Sequence, residues 1–157
     1  MEKLFSGALE RRFRSLRTVP TGDPGTYCPA TRCRHVSKRV LVVEDDLLNR
    51  MYLCAVLEGN GFVADSVSDG AHVVETARRL RPDVITMDIN LPNVSGIELI
   101  KRLRADAELK EIPIFAVTAY VGKGEESRIR KAGADDFLAK PIKMKALLDT
   151  VNRLVER

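Results

Sequence analysis

Short apolar segments and helical patterns alternate five times along the chain from residue 38 onward. The apolar segments are rich in β-branched residues, which is typical of strands buried on both faces of a sheet. The predicted strands are Val40–Val43, Phe62–Val67, Asp83–Met87, Ile112–Val117 and Asp136–Ala139. The predicted helices run from 46 to 58, from about 69 to 80, from about 95 to 104, from 122 to 132 and from 143 to 155. Strict alternation predicts a doubly wound α/β domain, with a parallel sheet, right-handed crossovers and helices on both faces.

The excess of positive charge is confined to the first 37 residues. The chain has 157 residues and a formal net charge of +4. Residues 1–37 contain seven basic and three acidic residues, whereas residues 38–157 contain nineteen of each. The charge therefore does not mark the alternating region as a nucleic-acid binder. We predict a basic tail at 1–37 and a single globular domain at 38–157.

The basic tail is expected to be disordered. Proline and glycine crowd residues 19–30, which predicts a linker. Four apolar residues before it have helical spacing: Phe5, Leu9, Phe13 and Leu16. The alternative is thus a basic helix that binds a membrane surface or a partner, although an isolated helix this short is marginal in water. A third hypothesis is that natural translation starts at Val36 from a GTG codon, which mass spectrometry of the native N-terminus would test.

Several other classes of protein do not fit the sequence. No apolar run approaches the ~18 residues of a membrane span, and three cysteines are too few for a disulfide scaffold. Cys28, Cys33 and His35 offer three ligands where a structural zinc site needs four. We expect a cytoplasmic protein that binds neither nucleic acid nor membrane, with no output domain after the last helix.

Polar residues stand where four of the five predicted strands end, at the edge of a doubly wound sheet where ligands bind. They are Glu44, Asp45 and Asp46 after the first strand, Asp88 after the third, Thr118 after the fourth and Lys140 after the fifth. Neighbouring carboxylates repel one another, and Mg²⁺, which takes oxygen ligands, relieves that repulsion. An ammonium facing them could neutralise the acids and bind phosphoryl oxygens.

Simpler interpretations exist for three of these residues. Asp46 opens the first helix and is a strong candidate for its N-cap. Thr118 could be an ordinary β-residue, and Lys140 an ordinary solvated lysine. For Asp88 the capping interpretation is weak, because Leu91-Pro92 follows and no helix starts there.

Four motifs at these strand ends together resemble the receiver domain of two-component response regulators. They are VLVVEDD at 40–46, VITMDINLPNVSG at 84–96, AVTAY at 116–120 and AGADDFLAKP at 132–141. The resemblance covers residues 38–157 and is closest to stand-alone, DivK-type regulators, through the stretch AVTAYVGKGEESRIRKAGADDFLAKPI. It implies a flavodoxin-like (βα)5 three-layer sandwich with strand order 2-1-3-4-5.

The resemblance also implies a role for each site residue. Asp88 matches the phosphoacceptor, and Lys140 the phosphate-binding lysine before a cis proline. Thr118 matches the switch hydroxyl, and Phe137 the aromatic residue that changes rotamer on activation. The implied Mg²⁺ ligands are Glu44, Asp45, Asp88 and the main-chain carbonyl of Asn90.

The function implied is that of a single-domain response regulator. It would take a phosphoryl group from a sensor histidine kinase or a histidine phosphotransfer protein and contact a downstream protein target. Such a protein promotes only its own phosphorylation and dephosphorylation, so we do not predict an enzyme. The alternatives are a phosphate sink, a phosphorylation-independent kinase-binding module or, in another class, nucleic-acid or membrane-surface binding by the tail. A phosphatase of the haloacid dehalogenase type would need an acid where this chain has Asn90, and a P-loop is absent.

Overall fold

A computed structural model describes residues 37–120 and 122–157 of the chain. The predictions for the basic tail lie outside these residues, including its helix, its linker, its three possible zinc ligands and the start at Val36. None of the helices in the described ranges combines the length and the apolar character that a membrane span requires.

Strands and helices alternate through the described residues as predicted. The strands are β1 Arg39–Val43, β2 Val63–Val67, β3 Val84–Asp88, β4 Ile114–Thr118 and β5 Asp136–Ala139. The helices are α1 Leu47–Glu58, α2 Val73–Leu80, α3 Gly96–Ala105, α4 Lys123–Ala132 and α5 Met144–Val155. The strands pair in parallel in the order β2-β1-β3-β4-β5, which confirms the doubly wound fold class and the strand order. Most ends lie within two residues of the prediction. Helix α2 starts later, at Val73, because Asp69 first caps a 3-10 turn at Gly70–His72.

The two faces of the sheet are covered by different helices. Successive residues of β1 point to opposite faces, as in any strand. Leu41 and Val43 pack with α2, α3 and α4, whereas Val40 and Val42 pack with α1 and α5. Every residue of β3 and β4 is buried, so the middle of the sheet is closed on both sides.

Local chemistry sets the helix ends near the sheet edge. The carboxylate of Asp46 accepts a hydrogen bond from the Asn49 amide at 2.8 Å and caps α1, as the capping interpretation predicts. Ser95 caps α3, also as predicted. Helix α2 is capped by Arg81, which adopts a left-handed conformation with φ of 48°. The following proline disfavours the helical conformation at that position.

Candidate functional site

The carboxyl ends of four neighbouring strands bring the predicted site residues to one edge of the sheet. In the parallel register, Asp88 pairs with Val117 and Thr118 pairs with Ala139. Lys140 follows β5 directly and Glu44 follows β1 directly. Residues that are far apart in sequence therefore meet because parallel strands end on the same side.

Lys140 joins two buried carboxylates. Its Nζ lies 2.6 Å from Oδ2 of Asp88 and donates to Oε1 of Glu44 at 3.1 Å. Only 1% of Glu44 and 2% of Asp88 is exposed. Burial raises the pKa of the Glu44 carboxyl, against the hydrogen bond from Lys140 that lowers it. Burial alone would lower the pKa of Lys140, but the hydrogen bonds to Asp88 and Glu44 raise it above its ordinary value. The three groups form a charged ion-pair cluster.

The acidic side chains at this edge could hold a divalent cation. One carboxylate oxygen from each of Glu44, Asp45 and Asp88 lies within 4.8 Å of the other two. Oε2 of Glu44 lies 3.0 Å from the Lys140 ammonium but makes no hydrogen bond, alone among the buried side-chain polar atoms of the described residues. Asp45 is exposed. Three carboxylates, one of them with an oxygen that makes no hydrogen bond, offer the hard oxygen donors that Mg²⁺ binds.

Asn90 holds the Asp88 carboxylate through its main chain. Its amide donates to Oδ1 of Asp88 at 2.8 Å, while Lys140 binds the other oxygen. Both oxygens of Asp88 are thereby oriented. The Asn90 amide therefore lies beside the acidic cluster. That its carbonyl binds Mg²⁺ stays a prediction.

Thr118 lies at the end of β4 and is 2% exposed. Its hydroxyl donates to the Tyr120 carbonyl at 3.0 Å and accepts from the Tyr120 amide at 3.2 Å. The single hydrogen of the hydroxyl is therefore engaged by the connection between β4 and α4. The sequence predicted the position of Thr118 but not this pairing.

Phe137 is half-buried in β5 and packs against the core layer beneath α3 and α4. The guanidinium of Arg130 in α4 lies 5.5 Å from the centroid of its ring. Arg130 is itself held by Glu126, one turn earlier, at 3.0 Å. A cation therefore covers the predicted switch aromatic from the outside. The Lys140–Pro141 peptide bond is cis, as the resemblance implies.

Sequence reasoning missed two residues that shape this edge. Arg50 donates to the main-chain carbonyls of Glu44 and Asp45, each at 2.9 Å. Gly96 lets the start of α3 lie against the strand, because a Cβ there would come 2.1 Å from the carbonyl oxygen of Asp88. A glycine directly after a predicted cap was the available signal for the close approach. No periodic pattern marks the arginine.

A comparison with protein families matches the response regulator receiver domain over residues 40–152. The polar-differentiation response regulator DivK of Brucella anthropi is 41% identical over 114 residues, which is 73% of this chain and 93% of DivK. DivK of Brucella ovis is 40% identical over 116 residues, 74% of this chain and 94% of that protein.

A comparison with solved structures also finds response regulators and receiver domains. The receiver domain of the sensor histidine kinase PA1611 from Pseudomonas aeruginosa is 33% identical with a TM-score of 0.72, over 77% of this chain and 99% of that one. That structure has a magnesium ion coordinated in the active site cleft. The chemotaxis protein CheY4 of Vibrio cholerae is 29% identical with a TM-score of 0.72, over 75% of this chain and 98% of that one. Because the family match spans most of the chain and its relatives agree over nearly their whole length, this chain belongs to the response regulator receiver domains.

Proposed function

We propose that the domain takes a phosphoryl group from a phosphohistidine onto Asp88. The observation that carries this proposal is a buried carboxylate 2.6 Å from an ammonium, at the edge where the strands end. One oxygen of Asp88 attacks the phosphorus in line with the leaving imidazole nitrogen. The P–O bond forms as the P–N bond breaks, and the electron pair of that bond returns to the ring nitrogen. The products are an acyl phosphate and a free histidine.

Charge balance at the site favours this transfer. In the resting domain Lys140 offsets the charge of Asp88 and Glu44, and it stays close enough to bind the incoming phosphoryl oxygens. Mg²⁺ held by Glu44, Asp45, Asp88 and the Asn90 carbonyl would neutralise charge on those oxygens and reduce the repulsion between Asp88 and the donor. The Asn90 amide already fixes the carboxylate that attacks.

Thr118 and Phe137 would change conformation in response to phosphorylation of Asp88. To donate to a phosphoryl oxygen, the Thr118 hydroxyl must give up its hydrogen bond to the Tyr120 carbonyl. Its inward movement leaves room for the Phe137 ring, which has no hydroxyl of its own and can respond only by packing. The two states exist before phosphorylation, and the modification shifts their populations. A downstream protein would bind the altered surface of α4, β5 and α5.

The donor is proposed to be a sensor histidine kinase or a histidine phosphotransfer protein, since receiver domains act with histidine kinases. A donor histidine must reach an acceptor that is 2% exposed, so its domain must cover the surface around the site. The first turns of α1, directly after the acidic residues, expose a row of apolar side chains: Leu47, Leu48, Met51 and Tyr52. Such a row supports a helical partner at this position. The free thiol of Cys54 is compatible with the proposed cytoplasmic setting.

The experiment is phosphorylation of the full chain by a small donor such as acetyl phosphate with Mg²⁺, followed by transfer from candidate kinases. We expect one phosphoryl group on the native chain by intact mass, lost on treatment with hydroxylamine as an acyl phosphate is. Asp88→Asn should take up none, while Asp149→Asn, a change at an exposed aspartate of α5, should behave as the native chain does. Equal labelling of Asp88→Asn would refute the mechanism.

A phosphate sink or a phosphorylation-independent kinase-binding module remains the alternative within the same class. A sink would drain label from the kinase without altering the binding of any downstream protein. A binding module that carries Asp88→Asn would inhibit or activate the kinase as well as the native chain does. In every case the domain has no proposed substrate beyond its own Asp88, so we do not propose an enzyme.

A further inference from the structure

The guanidinium of Arg50 holds the main chain of the acidic loop, which we define as residues 44–46 between β1 and α1. Its Nη1 donates to the carbonyls of Glu44 and Asp45, each at 2.9 Å. Within the described part of the chain, neither carbonyl accepts a hydrogen bond from a backbone amide. Both residues lie beyond the strand and before the helix, where regular structure supplies no donor. Arg50 therefore supplies the hydrogen-bond donor that regular secondary structure does not provide here.

The three carboxylates of the cluster differ in how they are held. Glu44 and Asp88 are buried and hydrogen-bonded to Lys140. The Asp45 carboxylate is exposed and has no hydrogen bond to any described residue. The position of the Asp45 carboxylate is consequently set by its backbone and its own rotamer.

Arg50 fixes that backbone on both sides. The Glu44 carbonyl belongs to the peptide plane before the Cα of Asp45, and the Asp45 carbonyl belongs to the plane after it. Because each peptide unit is rigid, holding both carbonyls restricts both dihedral angles of Asp45. The backbone so held lets one carboxylate oxygen of Asp45 lie within 4.8 Å of one oxygen each of Glu44 and Asp88.

We propose that Arg50 is a positioning residue that orients Asp45 for Mg²⁺, an inference that rests on the metal site of the proposed function. Two effects of Arg50 on the metal have opposite signs. As a cation it repels Mg²⁺, so its charge alone weakens binding. Through its hydrogen bonds to the backbone it orients one of the metal ligands, and loss of such a supporting partner lowers the metal affinity of a site by about 10- to 100-fold. The sign of the change on removing Arg50 separates the two effects.

The test compares Arg50→Met, which removes the charge and both hydrogen bonds, with Arg50→Lys, which restores a charged donor. The Mg²⁺ dissociation constant is measured on the full chain by titration of amide NMR shifts. The carbon shifts of the Glu44 and Asp45 carbonyls in metal-free protein report these hydrogen bonds themselves. We expect Arg50→Met to bind Mg²⁺ about tenfold more weakly than the native chain, with both carbonyl shifts changed. We expect Arg50→Lys to recover to within about threefold. Arg102→Met, a change on the exposed face of α3, is the matched control and should alter neither quantity.

Two results would overturn the inference. One is an Arg50→Met chain that binds Mg²⁺ as tightly as the native chain or more tightly. The other, which also decides the matter if circular dichroism finds Arg50→Met unfolded, is an Arg50→Lys chain whose two carbonyl carbons move upfield, as they do on loss of their hydrogen bonds, while its Mg²⁺ affinity equals that of the native chain. A native chain that binds no Mg²⁺ would overturn the proposed metal site as well, so the two failures are distinguishable.

Discussion

Replacing Lys140 with methionine removes the ammonium that is hydrogen-bonded to two buried carboxylates. Taking away one partner of a buried ion pair commonly costs about 3–5 kcal/mol, because the charge left behind is neither solvated nor paired. The Lys140 side chain is 23% exposed, so water reaches part of the cluster. We therefore expect the low end of that range, a loss of about 3 kcal/mol in the free energy of unfolding of metal-free protein at pH 7.5. For a domain of this size, the melting temperature should fall by about 10 °C.

The loss should depend on pH in a defined direction. Burial raises the pKa of Glu44 in the folded state, and Lys140 partly counteracts the rise. Without Lys140 that pKa is higher still. A carboxyl whose folded pKa is raised destabilises the fold above that pKa, and the penalty is relieved as the pH falls through it. The deficit of the variant should therefore shrink between pH 7.5 and pH 5.

The assay is urea unfolding followed by far-ultraviolet circular dichroism, with chelator at both pH values, since the chain has no tryptophan. Lys145→Met is the matched control, because Lys145 binds Asp149 at 2.7 Å but its side chain is 85% exposed. Breaking that exposed pair should leave stability unchanged within error. Saturating Mg²⁺ should recover part of the loss in Lys140→Met by binding the folded state. If both variants lose the same stability, or if the deficit grows toward low pH, the reasoning about burial is wrong.

Four other changes are predicted from the surroundings of single residues. Gly96→Ala should lower the free energy of unfolding by about 3 kcal/mol, because its Cβ would meet the Asp88 carbonyl oxygen at 2.1 Å. In contrast, Gly124→Ala, with nothing within 4 Å, should raise it by about 0.5–1 kcal/mol in the same urea assay. Arg130→Ala removes a cation–π contact of about 0.5–1 kcal/mol and should raise the inward population of Phe137 about two- to fivefold by aromatic NMR, whereas an unchanged ring environment would contradict the contact. Leu48→Asp should slow transfer from the kinase roughly tenfold but leave labelling by acetyl phosphate unchanged, and equal loss from both donors would exclude a docking role.

The sequence predicted the positions at the site better than the contacts. Strand ends in a parallel sheet share one edge, so the order of apolar segments was enough to bring Asp88, Thr118 and Lys140 together. The hydrogen bonds of the Thr118 hydroxyl depend on the turn after β4, which has no periodic pattern.

The contacts of two long arginine side chains were the main feature that the sequence did not predict. Arg104 donates to the carbonyls of Lys110, Ile112 and Gly133 and to the Asp135 carboxylate, tying α3 to the segment that enters β4 and to the start of β5. Arg50 does the same for the acidic loop. Such contacts depend on side-chain reach and on carbonyls left over from regular structure. Hydrophobic periodicity predicts neither property.

The contacts of Lys140 span 96 residues to Glu44 and 52 residues to Asp88. During synthesis the acids leave the ribosome first, and their cation follows only when β5 has been made and has docked at the edge of the sheet. Under the proposed function, a chain cut short before Lys140 has the nucleophile Asp88 but lacks the charge that accompanies it. We therefore expect chemical competence to arise only after β5 has docked, and an incomplete copy of this domain not to compete for the phosphoryl group.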